Sequence, residues 1–456
     1  MNKHKKRSTF SGKLGFVLSA AGASVGLGNI WRFPYLAAKY GGGIFLLIYI
    51  ILALTFGYTM IIAETSLGLM TRKSPVGAFQ SFGKSKLLSA GGWINAIIPI
   101  LIVPYYSVIG GWVIKYLAEY VIGQGQLLAT DEYFGSFISN GLSTEICFLI
   151  FTFFTLGIIY AGVRNGIERV SKFMMPILVV LSVIIMIYSV TRPGALEGVK
   201  YFLVPNLENF SWMTVVSAMG QMFYSLSIAM GILVTFGSYM KKDTSIEDST
   251  QNVEIFDTAI AIMAGLMIIP AVFAFSGGDP DSLNAGPALM FITIPKVFAN
   301  MGFGTAVGIL FFLLVLFAAV TSSIALTESA VSTFEDELHW DRKKSTVIMG
   351  IIMILLGSLS CLGYGPLAGV TIIGMQFLDF FDFLTNSVMM PIAAMATCLL
   401  VSKVIGVNKL EEEVTQDGQP FRRKHIFRFM IRYLCPLFAI IILLSSVANA
   451  FGWISM

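Results

Sequence analysis

The sequence of 456 residues is 56% hydrophobic and only 12% charged, and its mean hydropathy is +0.80. Soluble domains usually carry about 25% charged residues, so this composition excludes a soluble domain and indicates a polytopic membrane protein. The net charge is +4, and four scattered cysteines predict neither a disulfide framework nor a metal site.

Eleven apolar segments are long enough to cross a bilayer. They cover residues 13–38, 42–70, 91–122, 145–161, 170–189, 212–240, 253–277, 302–334, 345–362, 368–401 and 429–453. Basic residues orient them: with a cytoplasmic N-terminus, 24 lysines and arginines lie inside and only five outside. The chain is therefore predicted to start in the cytoplasm and end outside. Its positive charge faces anionic lipid, not nucleic acid.

The first segment has glycines at its centre, Gly22, Gly26 and Gly28, followed by Asn29 and Arg32. Glycine weakens a helix by about 1 kcal/mol relative to alanine. Within a bilayer, broken helix is tolerated only where the freed backbone groups meet protein, water or a ligand. The pattern predicts a helix interrupted to bind something. Close packing of helices through small residues is the alternative explanation.

Among the ionisable residues of the apolar segments, four stand out: Arg32, Glu64, Asp257 and Asp382. Placing such a side chain at the bilayer centre costs about 2.5–3.5 kcal/mol, so each one is expected to have a charged or polar partner or a functional role. The excess of carboxylates predicts a cation site, because hard cations take oxygen ligands. For Glu64, salt bridging or a place near the interface explains the residue as well as a direct role does.

The sixth segment, five spans after the first, also has a polar and weakened centre, with Gln221, Ser225, Ser227 and Gly231. Corresponding weak points in two halves of a chain indicate a transporter built from inverted repeats, with its binding site at the midplane. The half-helix N-termini would then face a carboxylate, and the freed carbonyls would face cations.

In the eighth segment, Ala318, Thr321 and Ser322 share one helix face. Two hydroxyls and a carbonyl in this arrangement suit a small cation. The alternative is that the hydroxyls bond to carbonyls of their own helix, as is usual in membranes.

An enzyme is disfavoured. The three histidines, His4, His339 and His425, lie in predicted cytoplasmic segments, and no nucleophile–base pair is apparent. The chain has no phosphate-binding G-x-x-x-x-G-K-[S/T] loop, so ATP is not the expected energy source.

Four stretches, GLGNIWRFP (26–34), GQMFYSLS (220–227), TSS (321–323) and FEDE (334–337), resemble the neurotransmitter:sodium symporter family in order and position. The resemblance covers nearly the whole chain. It implies an all-α membrane fold with an inverted five-plus-five helix repeat, leucine-transporter-like, with discontinuous first and sixth helices and one extra C-terminal helix. The implied division is a cytoplasmic arm (1–12), repeat one (13–191), an extracellular loop (192–211), repeat two (212–403), a cytoplasmic loop (404–428) and helix 11 (429–456).

The same resemblance implies two sodium sites. Sodium site two would use the carbonyls and hydroxyls of Gly22, Val25, Ala318, Thr321 and Ser322. Sodium site one would use Ser24, Asn29, Ser225, Asp257 and the carboxylate of the substrate. Asp257 stands where the family commonly has asparagine, and its fixed charge predicts independence from chloride.

The implied substrate site lies beside these ions. Its predicted residues are Ser24, Gly26, Leu27, Gly28, Ile102, Tyr106, Tyr224, Ser225, Ser227, Met230, Ser323 and Leu326. Amine transporters of the family carry an aspartate at the position of Gly26, so this substrate must bring its own carboxylate. The mostly apolar lining, with its adaptable methionine, favours aromatic or branched aliphatic amino acids.

Two gates are implied as well. Arg32 and Asp382 would close the extracellular side as a pair. Arg7 and Asp336 would latch the cytoplasmic side, with Ser238 and Tyr239 nearby. Gly166 and Pro176 bracket nine residues at which the fifth helix is expected to unwind and hydrate the inner sodium site.

Taken together, the expected function is sodium-coupled import of a hydrophobic amino acid by alternating access across a bacterial plasma membrane. Two sodium ions and no chloride are expected. A membrane amino-acid sensor on the same scaffold, without net transport, is the alternative, and a channel is a weaker one.

Overall fold

The computed structural model describes residues 7–277 and 286–454. The first six residues of the predicted cytoplasmic arm, including three of its lysines, lie outside this range. The principal helices, in chain order, are α1 (Lys13–Ser24), α2 (Gly28–Lys39), α3 (Gly43–Thr71), α4 (Lys86–Val121), α5 (Gly141–Tyr160), α6 (Val163–Val190), α7 (Trp212–Ser225), α8 (Ile232–Ser238), α9 (Ile246–Ser276), α10 (Leu289–Ala299), α11 (Gly304–Glu337), α12 (Arg342–Leu362), α13 (Phe377–Ile405), α14 (Val407–Val414) and α15 (Lys424–Ala450).

The two predicted interruptions are confirmed. Nine of the described helices are long and apolar enough to cross a membrane, and α1 and α2 together form a tenth span that is bent by 54°. The predicted sixth span consists of two short helices, α7 with 14 residues and α8 with 7. Neither is long enough to cross alone, so this span is broken near its middle.

Several predicted bounds were wrong. The tenth span was expected from residue 368, but α13 begins at Phe377, because the chain before it forms turns and a single bridge between Ile372 and Met375. Helix α9 begins seven residues early at Ile246, since the Ser245 side chain caps its first turn. Several helices outside the predicted spans were not predicted, among them Ala195–Leu203 in the 192–211 loop, α10, and α14 in the 404–428 loop.

The order of packing places the breaks at the centre of the protein. Helix α4 runs along α11, α8 packs against α3, and α9 packs against α6, while α1 contacts both α9 and α11. In the most apolar stretch of α4, 78% of the residues are buried, against 28% in α15. Helix α4 is thus a central column and α15 a peripheral one.

Candidate ion and substrate site

The two interrupted spans meet at their breaks. Helix α1 ends at Ser24, and α7 and α8 are separated by residues 226–231. The Ser227 hydroxyl donates to the Ala23 carbonyl at 2.9 Å, and the Gln221 amide donates to the Gly28 carbonyl at 3.1 Å. Backbone carbonyls beside the break of the first span therefore accept hydrogen bonds from side chains of the sixth, as the interior of a membrane protein requires.

The break between α7 and α8 contains three residues in the left-handed region, Ser227, Ala229 and Gly231. A buried carboxylate holds this strained stretch, because the Ala229 amide donates to Glu64 Oε1 at 2.8 Å. Glu64 lies on α3 and is fully buried. Its place in the fold is therefore beside the broken helix, with a backbone amide as its hydrogen-bond partner instead of a basic side chain.

The first cluster of oxygen atoms surrounds Asp257 on α9, which is fully buried. The Asn29 amide lies 2.8 Å from Asp257 Oδ1, and the Ser225 hydroxyl lies 3.1 and 3.0 Å from the two carboxylate oxygens. Tyr49, which the sequence did not single out, approaches Asp257 Oδ2 at 3.4 Å. The structure thus brings together the three side chains predicted for sodium site one.

The second cluster joins α1 to α11. The Ser322 hydroxyl lies 3.3, 3.1 and 3.3 Å from the carbonyl oxygens of Gly22, Ala23 and Val25. The Thr321 hydroxyl lies 3.2 Å from the Ala318 carbonyl and also bonds back to Phe317 at 2.9 Å. Thr321 therefore bonds to carbonyls of its own helix, as hydroxyls in membranes usually do, whereas the Ser322 hydroxyl points towards α1.

Carbonyl and hydroxyl oxygens of this kind are the ligands that hard cations prefer. A Cβ built on Gly22 would lie 3.1 Å from the Thr321 Cβ, so glycine lets the two helices approach closely enough for their oxygens to converge. The donor set fits a small monovalent cation, because this cluster brings no carboxylate and a higher charge would be poorly neutralised.

A cavity lies between the two clusters. Leu27 donates its amide to the Tyr106 hydroxyl at 3.3 Å at one end. A Cβ on Gly26 would lie only 2.8 Å from Ser322 Oγ. A side chain at this position would therefore crowd Ser322 and occupy part of the cavity. The lining residues are Ala23, Ser24, Gly26, Leu27, Gly28, Asn29, Ile102, Tyr106, Tyr224, Ser225, Ser227, Met230, Ser322 and Leu326.

One predicted pocket residue is misplaced. Ser323 is absent from this lining among the described residues, and its hydroxyl lies 3.3 Å from Thr155 on α5. Its neighbour Ser322 lines the cavity instead. Successive helical residues point about 100° apart, so the two serines face different neighbours.

A second space, the vestibule, adjoins the cavity, and Tyr106 and Tyr224 line both. Arg32 and Asp382 both face the vestibule, but the ion pairs among the described residues do not include this pair. The Arg32 guanidinium lies 5.4 Å from the centre of the Tyr224 ring. The Asp382 carboxylate accepts from Tyr105 at 3.2 Å and from Asn386 at 2.5 Å.

Arg7, which precedes α1, forms the ion pair predicted for the cytoplasmic latch. Its guanidinium lies 2.5 Å from Asp336, within 2.8 Å of the Ser238 hydroxyl and 2.9 Å from the Ser332 hydroxyl. It also lies 4.9 Å from the centre of the Tyr239 ring. The arrangement brings together the four residues predicted for this latch and adds Ser332.

The predicted unwinding of the fifth helix is absent from the described structure. Gly166 and Pro176 both lie within α6, which is helical from Val163, with wider π-type turns up to Glu168. The proline removes one backbone hydrogen bond without ending the helix.

Comparison with known proteins agrees with this architecture. Residues 7–125 and 136–452 match the sodium:neurotransmitter symporter family. An uncharacterised sodium-dependent transporter of Bacillus subtilis, YhdH, is 34% identical, over 97% of this chain and 98% of its own. One from Haemophilus influenzae is 31% identical, over 97% and 99%. The human sodium- and chloride-dependent GABA transporter 2 is 27% identical, over 94% and 78%.

Among solved structures, MhsT in complex with L-phenylalanine is similar to this chain with a TM-score of 0.86 and 35% identity. The match covers 97% of this chain and 100% of MhsT. The sequence resemblance and the predicted inverted-repeat fold are confirmed. The chain belongs to the sodium:neurotransmitter symporter family, whose members are transporters.

Proposed function

We propose that this protein imports a hydrophobic amino acid together with two sodium ions, without chloride, by alternating access. The observation that carries the proposal is the carboxylate of Asp257, held by Asn29 and Ser225 beside a cavity that the Leu27 amide and the Tyr106 hydroxyl line. A cation at Asp257 and the carboxylate of an amino acid at the Leu27 amide would lie next to each other. Binding of one would then favour binding of the other by the same factor, which is the basis of coupling.

The second sodium ion would bind the cluster of Gly22, Val25, Ala318, Thr321 and Ser322 oxygens. This site joins the interrupted span to α11, a long helix of the second repeat. A cation there would hold α1 against α11 and favour the conformation closed to the cytoplasm.

Independence from chloride follows from the charge balance. Asp257 supplies a fixed negative charge at sodium site one, and it is fully buried among neutral hydrogen-bonding groups. A cation bound there would be neutralised by the protein itself, so an added anion would find no uncompensated positive charge.

The substrate class follows from the lining. Gly26 and its neighbours provide no carboxylate for an amine, whereas the Leu27 amide and the Tyr106 hydroxyl suit the carboxylate of the substrate. The rest of the cavity includes Ile102, Met230 and Leu326, which favour an apolar side chain. The similarity to MhsT, whose structure contains L-phenylalanine, supports an aromatic or branched aliphatic amino acid.

The sodium gradient is sufficient for such transport. Each ion contributes about 2.3 kcal/mol per 100 mV and about 1.4 kcal/mol per tenfold gradient. Two ions give roughly 7 kcal/mol, which is about five decades of accumulation of a zwitterion. We place the protein in a bacterial plasma membrane with its N-terminus inside, so Arg7 and Asp336 latch the cytoplasmic face and Arg32 and Asp382 guard the outer vestibule.

The test is uptake of a panel of labelled amino acids into proteoliposomes that have an imposed sodium gradient. We expect uptake of phenylalanine, leucine or a similar residue that stops when sodium is replaced by potassium and is unchanged when chloride is replaced by gluconate. Uptake that ignores sodium would contradict the coupling. Saturable sodium-dependent binding without any accumulation would favour the sensor instead.

A further inference from the structure

The cytoplasmic end of α1 depends on a residue of another helix. Gly12 stands at the N-cap and offers no side-chain hydrogen bond to the first turn. Just before it, the Ser11 amide donates to Glu168 Oε2 at 2.9 Å, and the Ser11 hydroxyl bonds to Glu168 Oε1. A carboxylate from α6 thus binds the residue that precedes the N-cap, close to the end of α1 where the helix dipole favours negative charge.

The surroundings of Glu168 are shaped for this contact. Glu168 is 3% exposed, and Lys172 lies 2.6 Å from Oε1. Gly15 leaves room for the carboxylate, because a Cβ at this position would overlap it. One turn away, Arg164 donates to the Thr9 carbonyl at 3.0 Å. The segment before α1 is therefore fastened to the start of α6 at two successive points.

These contacts join two regions that transport would have to move. Glu168 lies two residues after Gly166, inside the stretch up to Pro176 that the sequence expected to unwind. At the opposite end of α1 are the carbonyls of Gly22 and Val25, which contact Ser322. If α6 unwound around Glu168, the start of α1 would lose this anchor. If α1 swung away, Glu168 would lose both of its hydrogen bonds from Ser11.

We propose that Glu168 is a positioning residue for transport. It holds the start of α1 against α6 while sodium site two is closed, and its contact with Ser11 must break before the cytoplasmic path can open. Release of α1 and unwinding of α6 are consequently one event. This inference rests on the proposed function, since it assigns Glu168 to the step that opens the inner sodium site.

The test measures cytoplasmic accessibility inside α6. Ser171 is 3% exposed, and all four native cysteines are buried, so Ser171→Cys provides a reporter thiol for a maleimide probe. In saturating sodium, Glu168→Gln should raise the labelling rate of this thiol by about tenfold, the effect expected for losing one charged hydrogen-bond partner. Glu411→Gln is the matched control, because Glu411 pairs with Arg428 at the cytoplasmic face, away from α1 and α6.

A second variant acts without changing charge. Gly15→Ala should displace the Glu168 carboxylate and raise labelling in the same direction, which keeps the test decisive if Glu168→Gln fails to fold. Labelling that is unchanged in the variants, or equally raised in Glu411→Gln, would overturn the inference. Failure of the proposed function looks different: the parent protein would then show no sodium-driven uptake, whatever the labelling rates.

Discussion

The Asn29 side-chain amide donates to the Asp257 carboxylate at 2.8 Å and so connects the first interrupted span to α9. The second carboxylate oxygen accepts from Ser225, the last residue of α7. Both interrupted spans are therefore tied to the same buried charge. A cation that binds this charge would hold the two spans together.

Replacing that charge should create a requirement for an anion. Asp257→Asn is expected to lower sodium-driven uptake at least about tenfold in gluconate medium, because the cation loses its neutralising partner. Chloride should restore part of the activity. Initial uptake rates in proteoliposomes, with and without chloride, measure this. Tyr49→Phe is the control, since it removes only a 3.4 Å contact to the same carboxylate and should change uptake less than about threefold. Full activity of Asp257→Asn without chloride would contradict the assignment.

Adjacent serines on α11 provide a matched pair. Ser322→Ala removes the hydroxyl that meets three α1 carbonyls, so the sodium concentration for half-maximal uptake should rise about tenfold. Ser323→Ala removes a hydroxyl that faces Thr155, and sodium dependence should stay within about twofold of the parent. Sodium titrations of uptake distinguish the two. Equal effects, or a larger effect at Ser323, would mean that the second cluster is not an ion site.

Tyr105 should matter for the outer gate, although it lies outside the predicted site. Its hydroxyl and the Asn386 amide both bond to Asp382 Oδ1, which fixes the carboxylate at the vestibule. Tyr105→Phe is expected to slow uptake about threefold to tenfold, since a loosely held carboxylate meets Arg32 less often. Tyr35→Phe, at another vestibule tyrosine, serves as control and should leave the initial rate unchanged. If uptake were slowed in Tyr35→Phe and normal in Tyr105→Phe, the assignment of Tyr105 to the gate would be contradicted.

The cytoplasmic latch needs the shape of arginine as well as its charge. Arg7→Lys cannot reproduce bonds to Asp336, Ser238 and Ser332 at once, because lysine is a point charge without the planar fork. Efflux of labelled substrate from loaded proteoliposomes without a sodium gradient should rise several-fold, by about the effect of one or two lost hydrogen bonds. Arg164→Lys, which affects a single bond to Thr9, should have a smaller effect. Similar efflux from both variants would argue against the latch.

Much of the architecture could be predicted because the informative residues depart from the apolar composition that a membrane span normally has. Glycines and polar residues inside an apolar segment marked the breaks near Gly26 and Ser227, and a lone acid marked Asp257. The positive-φ residues and the hydrogen bonds across the breaks agree with those positions.

The remainder depended on tertiary contacts that no local pattern reports. Tyr49 is one of many aromatic residues until α3 brings it to Asp257, and Glu64 could not be assigned a partner because its partner is a backbone amide. Ser323 was expected in the pocket through resemblance, but a rotation of one residue along α11 directs its hydroxyl to Thr155. The start of α13 was placed too early because apolar residues continue through the turns before Phe377.

Glu64 has a consequence for the affinity of the site. The chain between α7 and α8 is held in its non-helical conformation by the buried carboxyl group of Glu64, which accepts a hydrogen bond from the Ala229 amide. A bound molecule therefore contacts backbone groups that were already outside regular helix when the protein folded. None of its binding energy is needed to unwind the helix. The binding site is preorganised, so weak contacts are sufficient to hold the bound molecule.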